Sequence, residues 1–154
     1  MNTIKYTQEN FNTDIKRLVS KLNHQSFDLI VGINRGGCIP AVCLSHALKI
    51  PVTMIDYSTR DGVNIHPENV KSFFFEQIAN YRNVLLVDDI IDSGKSAKKL
   101  IQETGCGYNR DVTFATLLYN TDVDFSTVDV VWGTSFSRTT EPRYFDFWWE
   151  TYNV

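Results

Sequence analysis

Four apolar residues, Val84-Leu85-Leu86-Val87, run without a break into Asp88-Asp89-Ile90-Ile91 and then into Asp92-Ser93-Gly94-Lys95-Ser96. No other stretch constrains the fold as much. A short apolar run without alternation suits a strand covered on both faces, the habit of parallel sheets, and the polar residues after it give a loop and the start of a helix that should end near Gly105. The same strand, loop, helix grammar occurs earlier. Leu29-Ile30-Val31-Gly32-Ile33 stops at Asn34-Arg35-Gly36-Gly37, and Pro40 then stands where a first helical turn tolerates proline. Ile50 to Ile55 reads as a further strand, with Val112 to Leu118 and Val128 to Trp132 as two more. Ahead of them all, Phe11, Ile15, Leu18, Val19 and Leu22 recur at helical spacing after Thr7, a suitable cap, so residues 8–22 read as an amphipathic helix.

This order of elements predicts an α/β fold, a mostly parallel twisted sheet flanked by helices, with no linker or repeat to divide residues 1–154 into more than a single domain. In such sheets ligands bind outside the carboxyl ends of the strands, so the segments 34–37, 58–69 and 88–96 should crowd one rim.

Composition removes several classes of function. With 15 basic against 18 acidic side chains, a formal charge of -3 and no Lys/Arg block, the chain is not built to hold nucleic acid by bulk charge. Cys38, Cys43 and Cys106 are odd in number and lack CxxC spacing, which argues against a disulfide framework or a thiolate zinc site and points to a reducing compartment. The first twenty residues carry Lys5, Glu9, Asp14, Lys16 and Arg17 around no long apolar run, so an ordinary secretory signal is not expected there. No apolar stretch reaches the length of about 18 residues that spans a bilayer. The expected location is the cytoplasm.

The segment from Asp92 to Ser96 joins a strand end to a helix start, where unpaired main-chain N–H groups and the positive helix end attract a phosphate. Gly94 lets the backbone approach, Ser93 and Ser96 add hydroxyl donors, and Lys95 adds charge. The end of a P-loop is mimicked by Gly94-Lys95-Ser96, but Asp89 stands where its first glycine should be. These small polar residues equally suit a simple helix cap. What favours a ligand site is the pair Asp88 and Asp89 just upstream, because carboxylates at a strand end can accept sugar hydroxyls or meet Mg²⁺, directly or through water. A flavin phosphate would need no such pair.

Val84 to Ser96 resembles the thirteen-residue signature for 5-phosphoribosyl pyrophosphate (PRPP) of the type I phosphoribosyltransferases: four apolar residues, two acids, then a D-[ST]-G-[GK]-[ST] loop. Length and element order look most like the short purine enzymes, the xanthine-guanine and hypoxanthine phosphoribosyltransferases, from about residue 10 to Glu150. The resemblance implies that Asp88 and Asp89 hold the ribose hydroxyls, with Mg²⁺ bound directly or through water and PRPP. Ser93, Gly94, Lys95 and Ser96 would take the 5-phosphate, and Asp92 would manage the proton of the base. Asn34, Arg35, Gly36 and Gly37 correspond to the pyrophosphate loop, in which the Asn34–Arg35 peptide is expected to be cis and Arg35 to assist the departing diphosphate. Tyr57 to Pro67 matches the family's hood, with Arg60 a candidate to reach the diphosphate.

At the base end the likeness departs from the family. Where the purine enzymes end a strand in a lysine that reads the 6-oxo group, this chain has Asn120, which can both donate and accept. Along Tyr144 to Glu150 the family's aromatic rhythm is kept, with Trp148 in place of a proline. Tyr144 would then stack on the base, Phe145 would offer its main chain, and Glu150 would contact an exocyclic amine. Tyr144, Trp148 and Trp149 suit core packing or a subunit contact as well. His24, His46 and His66 show no ligand spacing and receive no role.

The expected reaction is Mg²⁺-dependent transfer of ribose-5-phosphate from PRPP to a nucleobase nitrogen, for a purine above all, with pyrophosphate released. Its rivals are a non-catalytic sensor of PRPP or a nucleotide on the same fold, and an enzyme for a non-purine base. Family habit implies a dimer or tetramer, for which Trp132, Trp148 and Trp149 are the first contacts to seek.

Overall fold

The computed structural model describes residues 2–57, 72–103, 110–125 and 128–152. Residues 58–67 of the expected hood, with Arg60 and His66, and the residues around Gly105 and Cys106 lie outside them. Five parallel strands form the central sheet in the order β3 (Val52–Asp56), β2 (Leu29–Asn34), β4 (Asn83–Ile91), β5 (Asp111–Asn120) and β6 (Asp129–Phe136). Among the described residues the α-helices α1 (Gln8–Leu22), α2 (Cys38–Leu48) and α3 (Lys95–Glu103) cover it.

Residues 84–87 show why the apolar run does not alternate. Val84 and Leu86 belong to the core shared with Leu100 and Ile101 of α3, whereas Leu85 and Val87 belong to the core shared with Leu18 and Leu22 of α1 and Leu44 of α2. All four are fully buried, and each contributes about 1.5 to 3 kcal/mol on leaving water. The strand therefore has no polar face.

α1 begins as its sequence implies. Thr7 accepts a hydrogen bond from the Asn10 amide at 3.2 Å and the Asn10 side chain accepts one from the Thr7 amide at 2.9 Å, a reciprocal cap.

In two places the structure departs from the sequence reading. First, β4 does not stop before the acids. Its pairing with β2 ends at Gly32 opposite Val87, yet it continues beside the longer β5 as far as Ile90 opposite Leu118 and Ile91 opposite Tyr119. Ile90 and Ile91 are buried, so burial carries the strand past Asp88 and Asp89, and the connecting turn shrinks to Asp92–Gly94. The acids thus stand on a strand edge from which β2 has withdrawn.

Second, β1 (Asn2–Tyr6) and β7 (Arg143–Phe147) form a separate two-stranded parallel sheet, in register from Asn2 opposite Arg143 to Tyr6 opposite Phe147. It is pinned to the main layer by Asp14 of α1. The Asp14 carboxylate accepts the Tyr6 hydroxyl at 2.6 Å and the Thr134 hydroxyl at 2.7 Å, and a Cβ on Gly133 would lie 2.5 Å from Asp14. Burial, then the bond to Asp14, pushes the Tyr6 phenol pKa up, so it stays a neutral donor. Among the described residues no helix is long and apolar enough to cross a membrane.

Candidate functional site

A cleft of about 580 Å³ opens at the carboxyl ends of β2 and β4. It brings together residues 34–36, 88–94 and 96 with Trp149 and Glu150. A shallower groove of about 400 Å³ runs along α1 from Thr13 to Lys21, with two of its cations, Arg17 and Lys21, already engaged. Arg17 contacts Asp14 at 3.3 Å and Thr134 at 3.0 Å, and Lys21 donates to the Trp132 carbonyl at 2.6 Å.

The end of the cleft at residues 93–96, where a phosphate is expected, is a main-chain construction. Gly94 has φ of +76°, a left-handed value that side chains disfavour, and a Cβ there would lie 2.5 Å from Val123. Its glycine is required twice over. α3 starts at the next residue, so the first-turn amides lack partners within the helix and face the turn, while Ser93 Oγ accepts the Lys95 amide at 3.4 Å.

The loop after β2 presses on the acids from the other side. The Asn34–Arg35 peptide is cis, as the resemblance implies. A Cβ on Gly36 would stand 1.9 Å from Asp89 Oδ2, and one on Gly37 would stand 2.3 Å from the Val87 carbonyl, so both glycines are the condition of contact between loop and strand. Asn34 is clamped, donating to Asp56 of β3 and accepting from the Cys38 thiol. Burial, followed by the Asp56 and Asp88 charges, raises the Cys38 pKa, which keeps the thiol a donor. Asp88 and Asp89 are each fixed by the next amide: Asp89 N–H donates to Asp88 Oδ1 at 2.9 Å and Ile90 N–H to Asp89 Oδ1 at 2.7 Å. Asp88 is half-buried and Asp89 buried.

The residues expected to take a base are arranged differently from the sequence reading. Asn120, the last residue of β5, is buried, its Nδ2 donating to the Asp92 carbonyl at 2.9 Å and its Oδ1 accepting the Asp122 amide at 3.1 Å. It braces the turn rather than lining the cleft. Asp122 in turn holds the connection after β6, accepting the Ser137 hydroxyl at 2.7 Å, the Thr139 amide at 2.9 Å and the Thr139 hydroxyl at 3.0 Å. The Ser137 bond, then the Thr139 amide, holds the Asp122 carboxyl pKa below its usual range.

From that connection comes a residue the sequence did not single out. Arg138 Nε donates to Asp92 Oδ1 at 2.7 Å and Nη2 to Oδ2 at 2.8 Å, a two-pronged ion pair, while Nη1 donates to the Arg143 carbonyl. Its guanidinium carbon lies 5.3 Å from the Tyr144 ring centre and 5.5 Å from that of Phe136. Arg138 sits in a polar turn, Ser-Arg-Thr-Thr-Glu-Pro, with no periodicity to mark it.

Tyr144, on β7, is exposed apart from this contact. Phe145 is half-buried against Phe136 at 4.9 Å, with Ile4 opposite it in the β1–β7 ladder. Glu150 lines the cleft from a 3-10 turn. The tryptophans are used inside the chain: Trp149 stacks on Phe147 at 4.7 Å, Trp148 meets Phe11 at 6.3 Å, and Trp132 stacks on Tyr119 at 4.8 Å.

The family model described as "Phosphoribosyl transferase domain" matches residues 4–124. The chain is 32% identical over 98 residues to a xanthine-guanine phosphoribosyltransferase of Gluconobacter oxydans, covering 60% of this chain and 57% of that protein. It is 33% identical over 90 residues to one of Cereibacter sphaeroides, covering 54% of each. The matches thus span little more than half the length of these curated relatives. A purine phosphoribosyltransferase structure from Pyrococcus horikoshii superposes with a TM-score of 0.69 at 25% identity, over 100% of this chain and 97% of that one.

Proposed function

The chain belongs to the phosphoribosyltransferase domain family, and from that premise we propose that it transfers the 5-phosphoribosyl group of PRPP to a ring nitrogen of a purine base, releasing pyrophosphate. The observation that carries this reading is the convergence, in one cleft, of Ser93, Gly94 and Ser96, the Asp88-Asp89 edge, and Asn34, Arg35 and Gly36. A phosphate cradle, a pair of sugar-hydroxyl acceptors and a cationic, glycine-bearing loop are the three grips that PRPP requires.

In this mechanism the amides and hydroxyls at 93–96 bind the 5-phosphate, and Asp88 and Asp89 accept the ribose hydroxyls and hold the ring where positive charge builds as the leaving group departs. Arg35 and the main chain of Gly36 and Gly37 receive the diphosphate. The base nitrogen forms the new bond to the anomeric carbon, and Asp92 accepts the proton of the base on a carboxylate lone pair not used by Arg138.

The family implies Mg²⁺, and the donor set suits it. No group of three or more ligating side chains occurs among the described residues, but two carboxylates with water and substrate phosphates are what this ion ordinarily takes. Asp88 and Asp89 would hold it, and it would supply neutralisation of the departing diphosphate.

Mixing the protein with PRPP, MgCl₂ and a panel of purines, uracil and orotate, and following pyrophosphate, tests the reading. Release with at least one purine is expected. Release with uracil or orotate alone would discard the purine, and none with any base would discard the enzyme in favour of a sensor.

A further inference from the structure

We propose that Arg138 and Asp92 act as one unit that reads the six-position edge of the base and selects a 6-oxo over a 6-amino purine. This rests on the transfer reaction proposed above. The three bonds to Asp92 and Arg143 use three of the five guanidinium N–H groups, and among the described residues nothing takes the other two. The carboxylate likewise keeps a lone pair on each oxygen. Neither group is sealed off, since the side chains remain 23% and 32% exposed.

The guanidinium is also held in plane. It packs near the rings of Phe136 and Tyr144, and the turn that carries it is tied to Asp122 through Ser137 and Thr139. Such a group acts as a template, because its donors do not have to be ordered when the base arrives.

The result is a donor, on Arg138, beside an acceptor, on Asp92. A 6-oxopurine base offers the complement, an acceptor at the six-position and, in its N7–H form, an adjacent N–H; in the nucleotide product, where N7 carries no proton, the six-position oxygen alone meets the guanidinium. A 6-aminopurine puts a donor against the guanidinium and leaves charged N–H groups unpaired, which penalises it. Asn120 does not offer the same discrimination, because its amide braces the Asp92 carbonyl and the Asp122 amide.

The test is nucleotide binding by calorimetry, alongside turnover. The wild type should bind IMP and GMP more tightly than AMP. In Arg138→Gln the affinity for IMP should fall about 10- to 100-fold, the size of one charged hydrogen bond, while AMP and PRPP affinities stay within about 3-fold. Arg138→Lys, which keeps the charge but loses the fork, should recover only part of the preference.

Equal losses for IMP and AMP would make Arg138 merely structural and overturn the proposal. Tighter IMP binding by Arg138→Gln would show the guanidinium obstructing the site, and would overturn it as well. Failure of the transfer reading looks different: no pyrophosphate release by wild type with any base, whatever the IMP-to-AMP ratio. A preference for IMP abolished by Arg138→Gln would stand even then.

Discussion

The two ends of the cleft are built by different means. At the end proposed to hold the phosphate the main chain does the work: Gly94 turns through φ +76°, and Gly36 and Gly37 let one loop lie against Asp89 and Val87. At the base end, side chains do it. Asn120, Asp122, Ser137, Thr139 and Arg138 form a chain of hydrogen bonds that runs from the end of β5 through the connection after β6 and back to Asp92. On the proposed reading, the contrast teaches that a grip on the phosphoribosyl donor can be written in backbone shape, while a grip on a particular base is written in replaceable side chains.

The largest effect should come from breaking the backbone half. In Gly94→Val a branched side chain meets both a left-handed φ and Val123, so a stability loss of about 2 to 4 kcal/mol is expected in denaturant titration. An unchanged midpoint would remove the backbone half of the contrast.

A smaller effect is expected from the side-chain half. Asn120→Ala leaves the Asp122 amide and Asp92 carbonyl without these partners and should cost about 1 to 3 kcal/mol. In steady-state kinetics KM for the base should rise while KM for PRPP stays near wild type. If both rise together, the ends are not independent.

Subtlest is a pH effect. The folded state holds the Asp122 carboxyl pKa below its unfolded value, so its contribution is whole above the ordinary aspartate range and is lost as pH falls through the depressed value. Amide exchange at Thr139, corrected for its intrinsic pH dependence, should therefore quicken at the acid end in the wild type. The same onset of faster exchange in Asp122→Ala would assign the loosening to another group.

Legibility in the sequence follows the same division. The apolar run at 84–87, the glycines at 36, 37 and 94 and the cap at Thr7 are local signals, since each residue type is dictated by its own strand, turn or helix end. Local signals also mislead at the margin. Asp88 and Asp89 look like the end of a strand, yet buried Ile90 and Ile91 carry β4 onward because β5 is long enough to pair with them. The β1–β7 sheet joins opposite ends of the chain, and its one well-buried β1 residue, Tyr6, gives no alternating pattern. Arg138 meets Asp92 across 46 positions, and an arginine in a polar turn carries no mark of the carboxylate that awaits it.

The central claim is that one cleft holds a sugar phosphate between the 93–96 turn and the Asp88-Asp89 edge. Calorimetric titration of PRPP with Mg²⁺ into the wild type and into Asp88→Asn/Asp89→Asn tests it most directly. Saturable binding at a single site is expected, weakened about 100-fold or more in the double variant by the loss of charged acceptors. Absence of saturable binding, or equal affinity in both proteins, would contradict it.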